Sequence, residues 1–137
     1  MCIRDRRFPT PFSHQGNQQA DLVLGKPNFT TPYLTDANQH NMYVPYGLTF
    51  AGPNATVGLL VSDYALNRVL FFPYTNGGFT SADNGAAATK VLGQPDFTSK
   101  ASSGTDTGLS VPHHLGTDTD GRPYVVDSGN NLSLIHI

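Results

Sequence analysis

The chain has 137 residues, a formal net charge of −2 and a single cysteine, Cys2. That length holds one small domain or part of a larger one. One cysteine cannot build a disulfide framework, the absence of a basic cluster argues against a nucleic-acid partner, and no apolar run approaches the roughly 20 residues of a membrane span. Every acidic residue is an aspartate, and Gly, Pro, Asn and Thr are abundant between short apolar runs. This pattern fits a loop-rich β protein rather than a disordered chain.

The two ends are set aside before the fold is considered. Residues 132–137 read LSLIHI, which CTG TCT CTT ATA CAC ATC encodes. The reverse complement, read one base along, encodes Met-Cys-Ile-Arg-Asp, and the chain begins Met1-Cys2-Ile3-Arg4-Asp5-Arg6. The ends thus resemble the two strands of one transposase adapter used in sequencing libraries. Residues 1–6 and 132–137 are expected to be non-native, and 7–131 to be a native segment whose true N-terminus is missing.

In chain order, 21–24 reads as a strand. Residues 47–50 form the next, and Gly52-Pro53-Asn54 makes a turn. The stretch 57–72, VGLLVSDYALNRVLFF, holds two apolar runs too short for helices, so strands are expected over 57–63 and 68–72. Pro73 opens a polar connection, 74–85. A strand over 89–92 stops at Gly93, and a long loop over 96–110 leads to a strand over 114–117. Asp118-Thr119-Asp120-Gly121 supplies a hairpin turn, and Tyr124-Val125-Val126-Asp127 the strand after it.

These elements repeat. Leu24-Gly25-Lys26-Pro27-Asn28-Phe29-Thr30 returns as Leu92-Gly93-Gln94-Pro95-Asp96-Phe97-Thr98. Val44-Pro45-Tyr46-Gly47-Leu48 returns as Val111-Pro112-His113-His114-Leu115, Asp63 with Asn67 returns as Asp127 with Asn131, and Phe8-Pro9 is an earlier partner of Phe72-Pro73. The matches keep their order, as an internal repeat requires. Four short strands per unit predict an all-β fold: an incomplete β-propeller of four-stranded antiparallel blades. Residues 7–43 would end one blade and continue as a long loop, 44–93 would form a complete blade, and 94–131 a loop and the first half of the next. A propeller closes with roughly 4–8 blades, so this chain alone is expected to aggregate or stay partly unfolded through its open strand edges.

The stretch VSDYALNRVLFF over 61–72, with its second copy VVDSGNN over 125–131, resembles the signature of the NHL-repeat β-propellers. The resemblance covers nearly all of 7–131. It departs from the pattern where Tyr64-Ala65-Leu66 replaces small polar residues, and where the second copy lacks the arginine and the strand that follow, at the point where LSLIHI begins. The resemblance implies a mouth of the central channel lined by Tyr46, Asp63, Tyr64, His113, His114 and Asp127.

Tyr46, Tyr64, His113 and His114 are the ligand-binding candidates. His113 and His114 are also weak candidates for a metal site, since related lyases hold a metal through channel histidines. Neighbouring residues in a strand point to opposite faces, so one of the pair is expected to face the channel. No second histidine is offered by the complete blade, where Tyr46 and Gly47 stand at those positions, and His14 and His40 show no ligand spacing. Asp63, Asn67, Arg68, Asp127 and Asn131 read as a structural motif. The aspartates would accept amides of the turn into the third strand, and Arg68 would bind the carboxylate or a nearby carbonyl. Asp118 and Asp120 lack the later ligands of a calcium loop. No catalytic residue is assigned and no cofactor is called for in this segment; zinc or calcium would belong to the full-length protein.

Two functions follow. The first is a non-catalytic scaffold, extracellular or periplasmic, that presents the loops 26–43 and 96–110 to a protein or glycan. The second is part of a propeller enzyme, a metal-dependent lyase or lactone hydrolase, with a channel histidine as ligand or acid/base group. The fold alone does not choose between them.

Overall fold

The computed structural model describes residues 6–7, 19–32 and 34–135. Among them the regular structure is antiparallel β-sheet joined by loops and short 3₁₀ turns. Strand β1 (Arg6–Arg7) pairs with β2 (Leu22–Val23). A four-stranded meander follows: β3 (Pro45–Ala51), β4 (Gly58–Asp63), β5 (Arg68–Pro73) and β6 (Lys90–Leu92). A three-stranded sheet follows that, from β7 (Pro112–Thr117), β8 (Pro123–Asp127) and β9 (Leu132–Ile135). The chain is all-β. Phe8, Pro9 and His14 lie outside the described residues.

The central meander is covered on both faces, which is why β4 and β5 are continuously apolar rather than alternating. Leu59, Val61, Leu70 and Phe72 pack against Leu22, Leu24 and Met42 on one side. Leu60 and Val69 pack with Ala51, Leu109 and Val125 on the other. Adjoining sheets approach most closely at the first strands. A Cβ built on Gly47 would lie 2.5 Å from the His113 carbonyl oxygen, and one on Gly121 would lie 2.6 Å from the Gly52 backbone. Only glycine permits these approaches. The Thr117 hydroxyl donates to the Phe50 carbonyl across the same seam at 3.1 Å.

The two larger sheets share their irregularities. Pro45 pairs with Asp63 and Leu48 with Val61, so β3 carries one residue more than its partner. Pro112 and Leu115 pair with Asp127 and Val125, with the same extra residue. Gly25 and Gly93 both have positive φ, and a Cβ on either would strike the side chain of Met42 or Leu109 respectively. Asp21 N donates to the Arg7 carbonyl as Thr89 N donates to that of Phe71. The first strands begin at Pro45 and Pro112, earlier than 47 and 114, because the bulge keeps the chain paired back to each aspartate.

Arg6 of the first adapter-like end and Leu132–Ile135 of the second lie in sheets. Arg6 is part of β1. Leu132–Ile135 forms β9, with Leu132 opposite Asp127 as Arg68 is opposite Asp63. The second copy therefore lacks the arginine but not the strand. The physical reason is local. Asn131 adopts the left-handed conformation (φ 55) and its amide bonds the Ser128 carbonyl, as Asn67 (φ 51) does with Tyr64. That turn reverses the chain, and LSLI is apolar enough to continue against β8.

Candidate functional site

Asp63 ends β4 with its side chain wholly buried. Its Oδ1 accepts the amides of Tyr43 (3.2 Å) and Val44 (3.0 Å). The donors are thus in the loop leading into β3, not in the turn to β5. The first amide of the 3₁₀ turn, that of Tyr64, donates instead to the Val44 carbonyl, while the incoming loop presents the Tyr43 and Val44 amides to Asp63. Arg68, also fully buried, donates from Nε and Nη2 to Asp63 Oδ2 at 3.2 Å, from Nη1 to the Phe97 carbonyl and from Nη2 to the Asn41 carbonyl. One guanidinium therefore fastens the loop entering the sheet and the loop leaving it. Burial pushes the Asp63 carboxyl up, against the pull of Arg68 and the two amides, and pushes the Arg68 guanidinium down, against Asp63. The full complement of bonds is what makes a buried charged pair tolerable.

Asn67 links the two larger sheets. Its Oδ1 accepts the Val111 amide at 2.8 Å, and its Nδ2 donates to the Lys100 carbonyl. Val111 has φ 56, a costly conformation for a β-branched residue. The Asn67 bond on its amide and the Ser128 hydroxyl on its carbonyl hold it there. Asp127 repeats the role of Asp63 more sparsely. Oδ1 accepts the Ser110 amide at 2.7 Å, and Oδ2 accepts Asn130 Nδ2 at 2.7 Å in place of an arginine. Asp63 and Asp127 are buried supports and do not line an open surface.

These supports aim four rings at one place. Tyr46 and His113 stack with centroids 4.4 Å apart and an interplanar angle of 14°. Tyr64, at the first position of the turn after β4, lies 5.9 Å from Tyr46 and 5.1 Å from His113. His114 meets Tyr46 edge-on at 5.6 Å. Tyr46 is 46% exposed, and His114 is also exposed. The two imidazole centroids are only 6.3 Å apart. Strand alternation assigned them to opposite faces; the bulge between Pro112 and Leu115 breaks the alternation and brings both rings to the Tyr46 side. The signal was in the repeated Val-Pro-x-x-Leu, whose spacing in each copy is one residue longer than the partner strand requires.

Among the described residues, none hydrogen-bonds the Tyr46 or Tyr64 hydroxyl or a ring nitrogen of His113 or His114. The surface thus offers π-faces beside two phenols and two imidazoles. Such a surface can offer ring contact and hydrogen bonds. Among the described residues no three of His, Cys, Asp and Glu converge to hold a metal ion. His40 lies elsewhere, its Nδ1 3.0 Å from the Gly85 carbonyl. Asp118 is a turn residue: its Oδ1 accepts the Asp120 and Arg122 amides, and its backbone bonds Arg122 and Gly121. No helix among the described residues is long and apolar enough to cross a membrane. No protein-family model matches the chain, and a search of curated proteins finds no match.

Proposed function

We propose that the chain is a segment of an NHL-type β-propeller that serves as a binding scaffold for a protein or glycan outside the cytoplasm. Tyr46, Tyr64, His113 and His114 form its contact surface. The observation that carries this reading is the convergence of those four rings from two adjacent sheets, with their polar atoms left without partners among the described residues. The meander order, the shared bulge and the shared aspartate–asparagine turn support the propeller reading. Rigid aromatic rings supply contact area at little entropic cost, and a sugar ring or an aromatic side chain of a partner would lie against them.

The test is a titration with a panel of oligosaccharides and peptides, followed by tyrosine fluorescence; the chain contains no tryptophan to mask it. Saturable binding lost in Tyr46→Ala is expected. Binding that survives Tyr46→Ala unchanged places the ligand elsewhere and defeats the reading. A parallel zinc titration addresses the alternative enzyme. Stoichiometric binding abolished by both His113→Ala and His114→Ala would move the assignment to a metal-dependent lyase or lactone hydrolase.

A further inference from the structure

We propose that the chain self-associates head to tail, with β9 of one copy replacing β1 against β2 of the next and completing a four-stranded sheet between copies. This inference is independent of what the ring cluster binds. It rests on the register of the strands. In the complete meander, β6 pairs with β5 through Val69–Leu92, Leu70–Val91 and Phe71–Lys90. The bond from Asp21 N to the Arg7 carbonyl matches that from Thr89 N to Phe71, and Arg6–Val23 and Arg7–Leu22 match Leu70–Val91 and Phe71–Lys90. Strand β2 therefore stands as a fourth strand, and the described residues of β1 as part of a third.

Strand β9 is also a third strand, four residues long, and among the described residues no strand pairs with its outer edge. By register, Leu134 stands at the place of Leu70, which is fully buried in the complete meander. In β1 that place falls to an arginine. Among the described residues there is thus a sheet of three strands with an unpaired outer edge, and a fourth strand whose described partners are Arg6 and Arg7. Exchange would place leucine where the complete sheet has leucine.

The bare apolar residues fit the same event. Leu48 and Phe50 are each 50% exposed on the face of β3 that continues the surface covered by β2. First and second strands placed ahead of β2, here β7 and β8 of the other copy, would cover them. Val126, 41% exposed, lies on β8, the strand that would meet them. His114 stands where Gly47 stands in the meander, so the joined sheets sit further apart at that corner than the two within one chain. What opposes exchange is Arg7, which holds Asp21 through two bonds, at 2.9 and 2.6 Å, and donates from Nη1 to the Phe79 carbonyl; the side chains of the ion pair are partly exposed. Strand β2 keeps its place without β1, since Val23 bonds Asn84 and Gly85 on its other edge.

The experiment is sedimentation velocity of the 137-residue chain over a wide concentration range. A head-to-tail interface gives closed rings or open chains, so concentration-dependent discrete oligomers are expected. Ser133 stands at the place of Val69, two residues before the position of Phe71, whose carbonyl faces β6. Ser133→Pro therefore removes an outward amide while sparing the bonds to β8, and is expected to weaken association by about tenfold or more. Hydrogen exchange of the parent chain provides the second readout, with protection gained at 133 and 135 as association proceeds. A chain that stays monomeric overturns the proposal. So does association with no gain of protection at 133 and 135, or association undiminished in a folded Ser133→Pro chain.

Discussion

Arg68 and Asp63 show how a buried charge pair is made to serve a fold. Neither side chain is exposed, and the carbonyls of Asn41 and Phe97 take the remaining guanidinium hydrogens. Removing one partner strands the other, so Arg68→Ala is expected to cost about 3–5 kcal/mol in urea unfolding. Arg122→Ala, on an exposed pair, should change the same measurement by less than about 1 kcal/mol. Asp96 illustrates a different use of a carboxylate. The Thr98 hydroxyl and the Ser99 and Thr98 amides hold it down to about 2, against an ordinary value of 3.8. Asp21, held by Arg7, and Asp83, held by the Thr75 hydroxyl and Thr80 amide, are also lowered. A carboxyl that titrates lower when folded contributes stability above its unfolded value and loses it as pH falls through its folded value. The contribution of these three carboxyls should therefore be steady above about pH 4 and drop towards about pH 2, whereas that of Asp63, pushed up by burial, runs the other way. Asn28 performs the Asp96 role without charge, its Oδ1 accepting the Thr30 and Thr31 amides. Asp96→Asn should accordingly flatten the acid slope by lowering the midpoint at neutral pH, where the contribution of the charged carboxylate is lost.

At the scale of the element, β4 and β5 were legible because their apolar runs, β-branched residues and bounding turns all point to buried strands. The hairpin turn at Asp118 was legible for the same reason, since Asp-Gly chemistry is local. What was not legible depends on partners distant in the chain. The donors to Asp63 come from Tyr43 and Val44, which no local rule connects to it. The bulge that gathers His113 and His114 leaves its trace in the repeated Val-Pro-x-x-Leu, but shows as a bulge only when that run is paired with its partner strand. Strand β9 was discounted because its origin looked foreign, yet a strand requires only suitable residues and an edge to pair with. Its first residue makes a direct prediction. Leu132 is 47% exposed opposite Asp127, at the position Arg68 occupies opposite Asp63. Leu132→Arg should add a charge-assisted bond and raise stability by about 1 kcal/mol. Calorimetry reads the outcome, and a fall in stability would mean that the two aspartates are not equivalent.

For the whole molecule, the account turns on two adjoining sheets that bring Tyr46 and Tyr64 of one against His113 and His114 of the other. The sequence nominated these four residues through the resemblance and the repeat, but the stacking that unites them arises between sheets. The same seam that holds Gly47 against His113 sets the distance of the rings, so the surface and the packing stand or fall together. The most direct measurement is the proton NMR spectrum of the histidine rings in the parent chain and in Tyr46→Ala. A ring stacked 4.4 Å over a tyrosine feels its ring current. The account predicts a His113 resonance displaced upfield, a smaller displacement for His114, and a reduction of both in Tyr46→Ala, where the ring current of Tyr64 remains, with His40 unmoved. Imidazole resonances of His113 and His114 at the positions of free histidine, and unchanged by Tyr46→Ala, would contradict it.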